Sequence, residues 1–306
     1  MTPLLENSLL NKRMGGRVLL KLETLQHTGS FKYRGALNRL LQLSPEQRRA
    51  GVVAFSSGNH AQGVASAAQA LGIPAIILMP SDAPAIKVTN TKGYGAEVRH
   101  FDRWKESREA IAAGIARERG AVLVPPYDDA DIIAGQGTAG LELCAQAHAL
   151  GAVPDSVVVC CSGGGLVAGI ALAVEAESPA TKVYTAEPAG FDDHAQSLKA
   201  GKRVTLKPGA TSICDALLAP SPGEITFAIN RTRLAGGLVV TDDEVLDAIA
   251  YAFRNLKLVI EPGGAVPLAA ILSGKLAAAG RTTVVVCSGG NVDPATFKTA
   301  LDRVTA

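Results

Sequence analysis

The chain has 306 residues, of which 47% are hydrophobic and 19% charged, and its formal net charge is +2. This charge argues against any strong preference for nucleic acid, and no apolar stretch is long and uninterrupted enough to span a bilayer. The five cysteines lack C-x-x-C spacing and indicate reduced core residues rather than disulfides or zinc ligands. Because the amino terminus also lacks a signal-peptide pattern, we expect a cytoplasmic protein.

Strand-like runs alternate with helical stretches along the whole chain, which predicts a parallel α/β architecture. No fixed-period repeat is present, and the length suffices for a buried core divided over two lobes. The strand-like runs are centred near Val18, Val53, Ile76, Val98, Leu123, Val158, Val183, Val239 and Val285.

The first junction with chemical content lies where the strand-like run 18–23 gives way to a helical stretch beginning near Phe31. Its sequence is Ser30-Phe31-Lys32-Tyr33-Arg34-Gly35. A lysine held partly out of water has a lowered pKa, which favours the nucleophilic free amine that a Schiff base requires. Taken alone, Lys32 is better explained as an ordinary solvated surface charge.

The second junction follows a predicted buried strand at residues 51–55. It reads Ser56-Ser57-Gly58-Asn59-His60 and leads into a helical run that ends near Leu71. Backbone N–H groups and small hydroxyls at a helix N-terminus form an anion site. An ordinary N-cap, in which a serine or asparagine side chain satisfies the first helical turn, explains the same residues.

Two further glycine loops follow strands in the second half of the chain. Ser162-Gly163-Gly164-Gly165-Leu166 follows the strand 156–161, and Ser288-Gly289-Gly290-Asn291 follows the strand 283–287. Three consecutive glycines let the backbone wrap closely around a phosphate, with a helix dipole behind it. Four strand-to-polar-loop junctions in one chain predict one composite site at the carboxyl ends of a sheet.

Together these segments resemble the serine/threonine dehydratase and serine racemase family of fold type II pyridoxal-phosphate (PLP) enzymes, over essentially the whole length. The resemblance implies an α/β fold similar to the tryptophan synthase beta subunit, with two parallel-sheet lobes and the cofactor in the cleft between them. Guided by it, we expect a large PLP-binding domain at residues 1–50 and 128–306 and a small mobile domain at residues 51–127.

The resemblance also implies a role for each motif. Lys32 forms the Schiff base with Phe31 beside the ring, Asn59 meets the 3′-oxygen, and Ser288 gives its hydroxyl to the pyridine nitrogen. Glu261 resembles an acid near the ring, although it could equally cap the following helix. The phosphate-gripping residues are Ser162, Gly163, Gly164, Gly165 and Leu166, where family patterns more often show four glycines, and the substrate carboxylate meets Ser56, Asn59 and His60.

A neutral hydroxyl at Ser288 leaves the pyridine nitrogen largely unprotonated, and the weaker electron sink favours expulsion of a β-leaving group. We therefore predict an ammonia-lyase that converts a β-hydroxy amino acid such as L-threonine or L-serine into a 2-oxo acid and ammonia. Lys32 removes the Cα proton in this prediction.

Two residues keep other activities open. Racemisation needs an acid/base group on the face opposite the lysine, and Ser57 occupies the place of a serine in the racemase-like branch, although it could simply fill an N-cap. Arg108 resembles an arginine that swings toward a second acidic group, as in threo-3-hydroxyaspartate, but a surface arginine in a helical charge pattern has the same appearance.

A metal site is suggested by Glu187-Pro188-Ala189-Gly190-Phe191-Asp192-Asp193, which follows the strand 182–186. An acidic turn that caps the next helix is the simpler explanation from the residues alone. The racemase-like resemblance implies instead a divalent cation, Mg²⁺ or Ca²⁺ and conceivably Mn²⁺, held by Glu187, the carbonyl of Phe191, and Asp193.

Two other classes of protein are weighed against this prediction. A β-replacement synthase of the same fold resembles S-x-K-D-R around the lysine, which differs from the present motif. A non-enzymatic phosphate-binding module would use the same glycine loops but gives no reason for Lys32. Relatives of the resembling family are commonly dimers, so we expect a homodimer that takes a small amino acid as substrate.

Overall fold

The computed structural model describes residues 1–56, 58–83, 85–102 and 104–303, with the side chain of Ile86 left out. The chain divides into two compact units, Met1–Phe31 with Gly137–Ala306, and Lys32–Gln136. The small domain expected at residues 51–127 lies inside the second unit, which also includes the segments on either side of it. The expected mobility of that domain stays a prediction.

The described residues form strands and α-helices in alternation, with short irregular turns between them. Three 3-10 turns lie at Glu23–Leu25, His27–Gly29 and Asp215–Leu217, and a π-helical turn lies at Ala252–Leu256. The strands are β1 (Leu4–Glu6), β2 (Arg17–Leu22), β3 (Val52–Phe55), β4 (Ala75–Pro80), β5 (Glu97–Phe101), β6 (Val122–Leu123), β7 (Ser156–Cys160), β8 (Lys182–Pro188), β9 (Leu234–Val240) and β10 (Thr282–Cys287). The helices are α1 (Ser8–Met14), α2 (Lys32–Leu41), α3 (Pro45–Ala50), α4 (Asn59–Leu71), α5 (Ala85–Gly93), α6 (Arg108–Arg119), α7 (Ala130–Ala149), α8 (Gly165–Glu177), α9 (Asp193–Ala200), α10 (Glu224–Arg233), α11 (Asp242–Tyr251), α12 (Pro262–Leu272) and α13 (Pro294–Leu301).

The first unit is built on a six-stranded sheet in the order β1-β2-β10-β7-β8-β9. All neighbouring strands are parallel except the edge pair, in which β1 runs antiparallel to β2. Leu19, Val158 and Val285 are fully buried, as expected for parallel strands whose near-continuous apolar runs are covered on both faces. Every strand predicted for this unit is present, whereas β1 was not predicted because a three-residue edge strand has too little periodicity.

The second unit contains a parallel four-stranded sheet in the order β5-β4-β3-β6. Successive residues of its strands point to opposite faces. Val53 and Ile76 accordingly pack in one apolar cluster and Ala54 and Ile77 in the other, and all four are buried. Both sheets therefore have the parallel α/β arrangement that the sequence predicts.

A buried lysine anchors the amino-terminal segment of the first unit. Lys21 on β2 is fully buried, and its Nζ donates hydrogen bonds to the Thr2 carbonyl at 2.8 Å, to Oε2 of Glu142 at 2.7 Å and to Oε1 of Gln146 at 2.9 Å. The Thr2 N–H also donates to Glu142, at 3.1 Å. Since an ammonium group has three donors, this arrangement occupies all of them and pairs the charge with a carboxylate.

Candidate active site

Lys32 is the first residue of α2, and its amine has a fixed position in the second unit. Its Nζ donates to the carbonyl of Pro126 at 2.7 Å, and the side chain is partly buried. Helix α4 approaches closely because its Gly63 has no side chain: a Cβ there would lie 3.0 Å from the Lys32 carbonyl carbon. The predicted Schiff-base lysine is therefore held partly out of water, as its proposed chemistry requires.

The loop between β3 and α4 leads into a helix whose first backbone N–H groups are potential hydrogen-bond donors to a ligand. The Ser56 hydroxyl accepts from the Gly58 N–H at 3.1 Å, and no side chain caps the N-terminus of α4. The first N–H groups of a helix have no intrahelical partner, so this end suits a carboxylate. Among the described residues no side-chain hydrogen bond to the N-cap position is present, and Ser57, which also belongs to the N-cap explanation, lies outside them.

His60 contributes to this loop as a neutral side chain. It is buried, and its Nε2 donates to the carbonyl of Val124 at 3.0 Å. Burial, assisted by the charge of Lys32, lowers the pKa of His60 to about 3. A substrate carboxylate would therefore bind to the backbone N–H of His60, because the neutral ring offers no positive charge.

Sequence reasoning missed the segment that fixes both Lys32 and His60. The carbonyls of Val124 and Pro126, two residues apart just after β6, accept from the imidazole and the amine respectively. The prolines at 125 and 126 lack an N–H and restrict φ, so this stretch offers acceptors on a stiff backbone. The adjacent prolines after a predicted strand were the available signal.

Arg108 begins α6 and lies beside the strand that leads to Ser56. Its guanidinium carbon is 5.1 Å from the centroid of the Phe55 ring, and its Nε donates to Oε1 of Glu109 at 2.8 Å. Its side chain is 54% exposed, so it retains freedom to reorient. The ion pair is with the next residue in the chain rather than with one four residues away.

The glycine loop of the first unit starts α8 without a cap. Gly164 is the N-cap residue with φ of +98°, a conformation that favours glycine, and no side chain satisfies the first turn. The Ser162 hydroxyl accepts from the Ala219 N–H at 3.2 Å. Its hydroxyl proton stays available as a donor alongside the backbone N–H groups, so serine in place of a fourth glycine is compatible with a phosphate site. The uncapped N-terminus of a 13-residue helix fits a phosphate dianion.

The strand end at Ser288 is joined to the segment that carries Phe31. The Phe31 N–H donates to the Ser288 carbonyl at 3.0 Å, and Ser30 forms a β-bridge with Gly289. The Ser288 hydroxyl is buried and accepts from the Sγ of Cys160 at 3.1 Å. This contact leaves the hydroxyl proton of Ser288 available to a ring nitrogen.

Glu261 lies against the same strand end. Its N–H donates to the Gly289 carbonyl at 3.0 Å, and a Cβ at Gly289 would overlap with the Glu261 carboxylate. Its side chain makes no cap bond to α12, for which it is the N-cap residue. The close approach of this carboxylate explains the glycine at 289, and the role of Glu261 near the ring stays a prediction.

The side chains of Glu187 at the end of β8 and of Asp193 and His194 at the start of α9 are buried, and this cluster is called the acidic pocket. Glu187 accepts from the backbone N–H groups of His194 at 2.9 Å and Ala195 at 2.8 Å, so it does cap α9. Asp193 is fully buried, yet neither of its carboxylate oxygens has a hydrogen-bond partner among the described residues. Nδ1 of His194 lies 3.5 Å from Oδ2 of Asp193.

The electrostatics of this pocket favour a cation. Burial, followed by the charge of Asp193, raises the pKa of Glu187 well above its ordinary value, and burial raises the pKa of Asp193. Potential ligand atoms of Cys161, Glu187 and His194 lie within 4.8 Å of one another. The unpartnered carboxylate fits a hard divalent ion, so the helix-cap and metal interpretations of Glu187 are compatible.

The remaining sequence predictions concern cysteines and membranes. All five cysteines are free, and Cys160, Cys161, Cys214 and Cys287 are buried. None of the helices in the described part of the chain has the length and apolar character that crossing a bilayer requires.

The residues on these strand ends fit PLP: an amine on α2, an uncapped helix N-terminus with a glycine cradle for a phosphate, and a buried hydroxyl for a ring nitrogen. Comparison with known proteins agrees. L-threo-3-hydroxyaspartate ammonia-lyase of Saccharomyces cerevisiae is 41% identical over 98% of this chain and 90% of its own length. Serine racemase of Schizosaccharomyces pombe is 42% identical over 95% of this chain and 89% of its own.

A solved structure gives the same result for the fold. The crystal structure of a T.th. threonine deaminase superposes with a TM-score of 0.89 at 46% identity, covering 95% of this chain and 93% of that one. The sequence model of the family described as "Pyridoxal-phosphate dependent enzyme" matches residues 1–289. The chain therefore belongs to the pyridoxal-phosphate dependent enzymes, with the fold type II architecture that its sequence predicts.

Proposed function

We propose that this protein is a PLP-dependent ammonia-lyase that converts a β-hydroxy amino acid, such as L-serine, L-threonine or L-threo-3-hydroxyaspartate, into a 2-oxo acid and ammonia. The observation that carries the proposal is the fixed amine of Lys32, bound to the Pro126 carbonyl at 2.7 Å. Two similar proteins, an L-threo-3-hydroxyaspartate ammonia-lyase and a threonine deaminase, support the same reaction class.

The residues that would hold the cofactor lie on the segments whose motifs the sequence singles out. When bound, PLP would supply an electron sink that stabilises negative charge at the substrate Cα. The backbone of the glycine loop would bind the phosphate at the α8 N-terminus. The proposed set is Phe31, Lys32, Asn59, Ser162, Gly163, Gly164, Gly165, Leu166, Glu261 and Ser288.

Lys32 is the proposed catalytic base. Its Nζ would accept the Cα proton of the bound substrate. The neutral ring of His60 adds no positive charge beside this amine, and the Pro126 carbonyl holds the amine in place. Loss of the β-hydroxyl then completes the elimination.

Ser288 sets the polarity at the pyridine end. Its hydroxyl would donate to the ring nitrogen while its oxygen accepts from Cys160 at 3.1 Å. Because a hydroxyl is a weak acid, it would leave the nitrogen mostly neutral and favour β-elimination.

The substrate carboxylate would bind at the start of α4. The proposed contacts are Ser56, Asn59 and His60, with His60 acting through its backbone. An uncapped helix start stabilises an anion without a basic side chain. Closure of a mobile small domain over the carboxylate would exclude water.

Arg108 favours hydroxyaspartate as one substrate. Its guanidinium stacks on Phe55, directly before the loop that starts with Ser56, and its side chain is about half exposed. A guanidinium at this place could pair with a β-carboxylate in bidentate fashion. Racemisation through Ser57 is the alternative activity, supported by the resemblance to a serine racemase.

We also propose a divalent cation, Mg²⁺, Ca²⁺ or Mn²⁺, bound by Glu187, the carbonyl of Phe191, and Asp193. The unpartnered buried carboxylate of Asp193 supports this ligand set. A cytoplasmic homodimer is the proposed biological form, and the five free cysteines support a reducing compartment.

The test is 2-oxo acid release by cofactor-loaded protein from L-serine, L-threonine and L-threo-3-hydroxyaspartate, with Lys32→Ala as the blank and the exposed Lys12→Ala as the matched control. Turnover by wild type and Lys12→Ala, and none by Lys32→Ala, is expected. Turnover confined to hydroxyaspartate and lost in Arg108→Ala would make Arg108 a substrate ligand. If no 2-oxo acid were released from any of the three substrates, the ammonia-lyase activity would be refuted. Formation of D-serine from L-serine instead would favour the racemase.

A further inference from the structure

The phosphate loop is held from behind by helix α10. The Gly163 carbonyl accepts from Oγ1 of Thr226 at 2.6 Å and from the Gly223 N–H at 3.1 Å. The Gly164 carbonyl accepts from Nδ2 of Asn230 at 3.4 Å. In a planar trans peptide the N–H points opposite to the C=O. Fixing these carbonyls toward α10 therefore turns the next N–H groups, those of Gly164 and Gly165, away from α10, as phosphate binding requires.

Asn230 also contacts the acidic pocket through His194. Its Nδ2 lies 3.1 Å from Nε2 of His194. An amide nitrogen is only a donor, so Nε2 must accept and the ring proton resides on Nδ1. That nitrogen faces Oδ2 of Asp193 at 3.5 Å. Asp193, His194 and Asn230 are each fully buried and lie in series, with polar contacts from Asn230 to His194 and to the Gly164 carbonyl. The 3.5 Å contact from His194 to Asp193 does not have hydrogen-bond geometry.

The His194 ring also packs directly against the loop. A Cβ at Gly164 would lie 2.6 Å from Nε2 of His194 and 3.0 Å from Nδ2 of Asn230. The edge of the Phe227 ring supports the imidazole at a centroid distance of 6.4 Å. With so little space, the ring cannot shift without moving Gly164 or Asn230.

We propose that His194 and Asn230 are positioning residues that couple the acidic pocket to the phosphate loop. A cation on Asp193 fixes the carboxylate that orients Nδ1–H of His194, and the imidazole then holds Asn230 against the Gly164 carbonyl. The inference rests on the cofactor and cation sites proposed above. Cation binding strengthens cofactor binding, and by linkage the cofactor strengthens cation binding by the same factor.

The experiment measures PLP binding by equilibrium dialysis, in chelator and in saturating Mg²⁺. For the wild type, Mg²⁺ should lower the Kd of PLP by roughly fivefold or more, the lower end of measured allosteric couplings. Asn230→Asp keeps the side-chain shape but replaces the donor with an acceptor, so the ratio of the two Kd values should fall to about one while both values rise. His194→Gln is the second variant and should reduce the ratio in the same way.

Thr226→Val is the matched control. Thr226 supports the adjacent carbonyl of the same loop, whereas Asn230 is the residue that contacts both the Gly164 carbonyl and His194. Its loss should weaken PLP binding and leave the Mg²⁺ ratio at the wild-type value. Thermal unfolding of each variant establishes that it is folded, and a variant of Asn230 that does not fold leaves the test to His194→Gln.

An unchanged ratio in folded Asn230 and His194 variants would overturn the proposal, because the cation would then act on the phosphate by charge alone. Absence of any Mg²⁺ effect on the wild type would overturn it as well. Both results are independent of turnover. A protein that binds PLP with Mg²⁺ coupling but releases no 2-oxo acid would refute the proposed reaction and leave the coupling intact.

Discussion

The first unit buries charged groups in two places and treats them differently. Lys21 has an acceptor for each of its three donors, including the carboxylate of Glu142 at 2.7 Å. Asp193 is equally buried, but its two oxygens have no hydrogen-bond partner among the described residues. Leaving a buried charge uncompensated is costly, so a fold keeps one only where something else compensates it.

The difference separates a structural cluster from a functional one. The Lys21 cluster is complete within the chain and ties the amino-terminal segment to α7. The pocket of Glu187, Asp193 and His194 is incomplete and is joined through Asn230 to the loop proposed to bind phosphate. Unsatisfied buried polar groups therefore mark a site here more clearly than burial does.

The largest effect is expected from Lys21→Met. Removing the ammonium leaves Glu142 and two carbonyl oxygens without their donor, and the free energy of unfolding should fall by about 3 kcal/mol. Urea unfolding measures this, with Lys182→Met as the control because Lys182 is an exposed residue of the same sheet. A loss no larger than the control's would mean that the Lys21 cluster is not what anchors this segment.

A buried titratable group can also stay neutral, and His60 is an example. Its pKa is lowered from 6.5 to about 3, chiefly by burial, so between these values the unfolded chain binds a proton that the folded chain does not. Stability should therefore fall as the pH falls through this window, by up to about 1.4 kcal/mol per pH unit.

His60→Gln keeps an N–H donor for the Val124 carbonyl and removes the titration. The difference in unfolding free energy between wild type and variant should depend on pH below 6.5 and level off above it. If the unfolding free energies of wild type and His60→Gln changed with pH in the same way, the imidazole would be protonated in the folded protein.

Asp193→Asn should have the opposite effect on stability to Lys21→Met. Without a divalent cation, replacing the unpartnered carboxylate with an amide should stabilise the protein by about 1 kcal/mol. With Mg²⁺ at about a hundred times its Kd, the wild type should gain about 2.7 kcal/mol and the variant nothing.

Asp192→Asn is the control for this pair of measurements, because Asp192 is adjacent and accepts from Gln196. It should gain stability from Mg²⁺ as the wild type does. Equal Mg²⁺ stabilisation of Asp193→Asn would place the cation elsewhere.

The smallest effect is expected at Cys160. Its thiol donates a weak hydrogen bond to Ser288, and both groups are neutral, so Cys160→Ala should raise the Kd of PLP by about fivefold or less. Cys160→Ser should restore the contact, and the visible absorbance of the bound cofactor should shift in the alanine variant only. Cys144→Ala removes a partly buried thiol on α7 and serves as the control.

The strands and the chemistry-bearing loops could be predicted because their signals are local. Apolar runs mark β7 and β10, and three glycines mark the start of α8. Family resemblance then supplied the roles of Lys32 and Ser288, which local pattern alone would not have given.

The supports of the site could not be predicted, because they are distant in sequence or belong to the backbone. Thr226 and Asn230 lie 63 and 66 residues from the carbonyls that they hold. The adjacent prolines at 125 and 126 indicate a stiff backbone, but they do not indicate which side chains donate to the carbonyls of Val124 and Pro126. From the sequence alone, Lys21 is expected to be a solvated lysine on a strand. In the structure Glu142 and Gln146 lie beside it.

The most direct test of the account is to find where PLP attaches. The loaded protein is reduced with borohydride, digested, and mapped by mass spectrometry. The account predicts the reduced cofactor on the peptide that contains Lys32, and none in Lys32→Ala. Attachment to another lysine, or no attachment after loading, would contradict it.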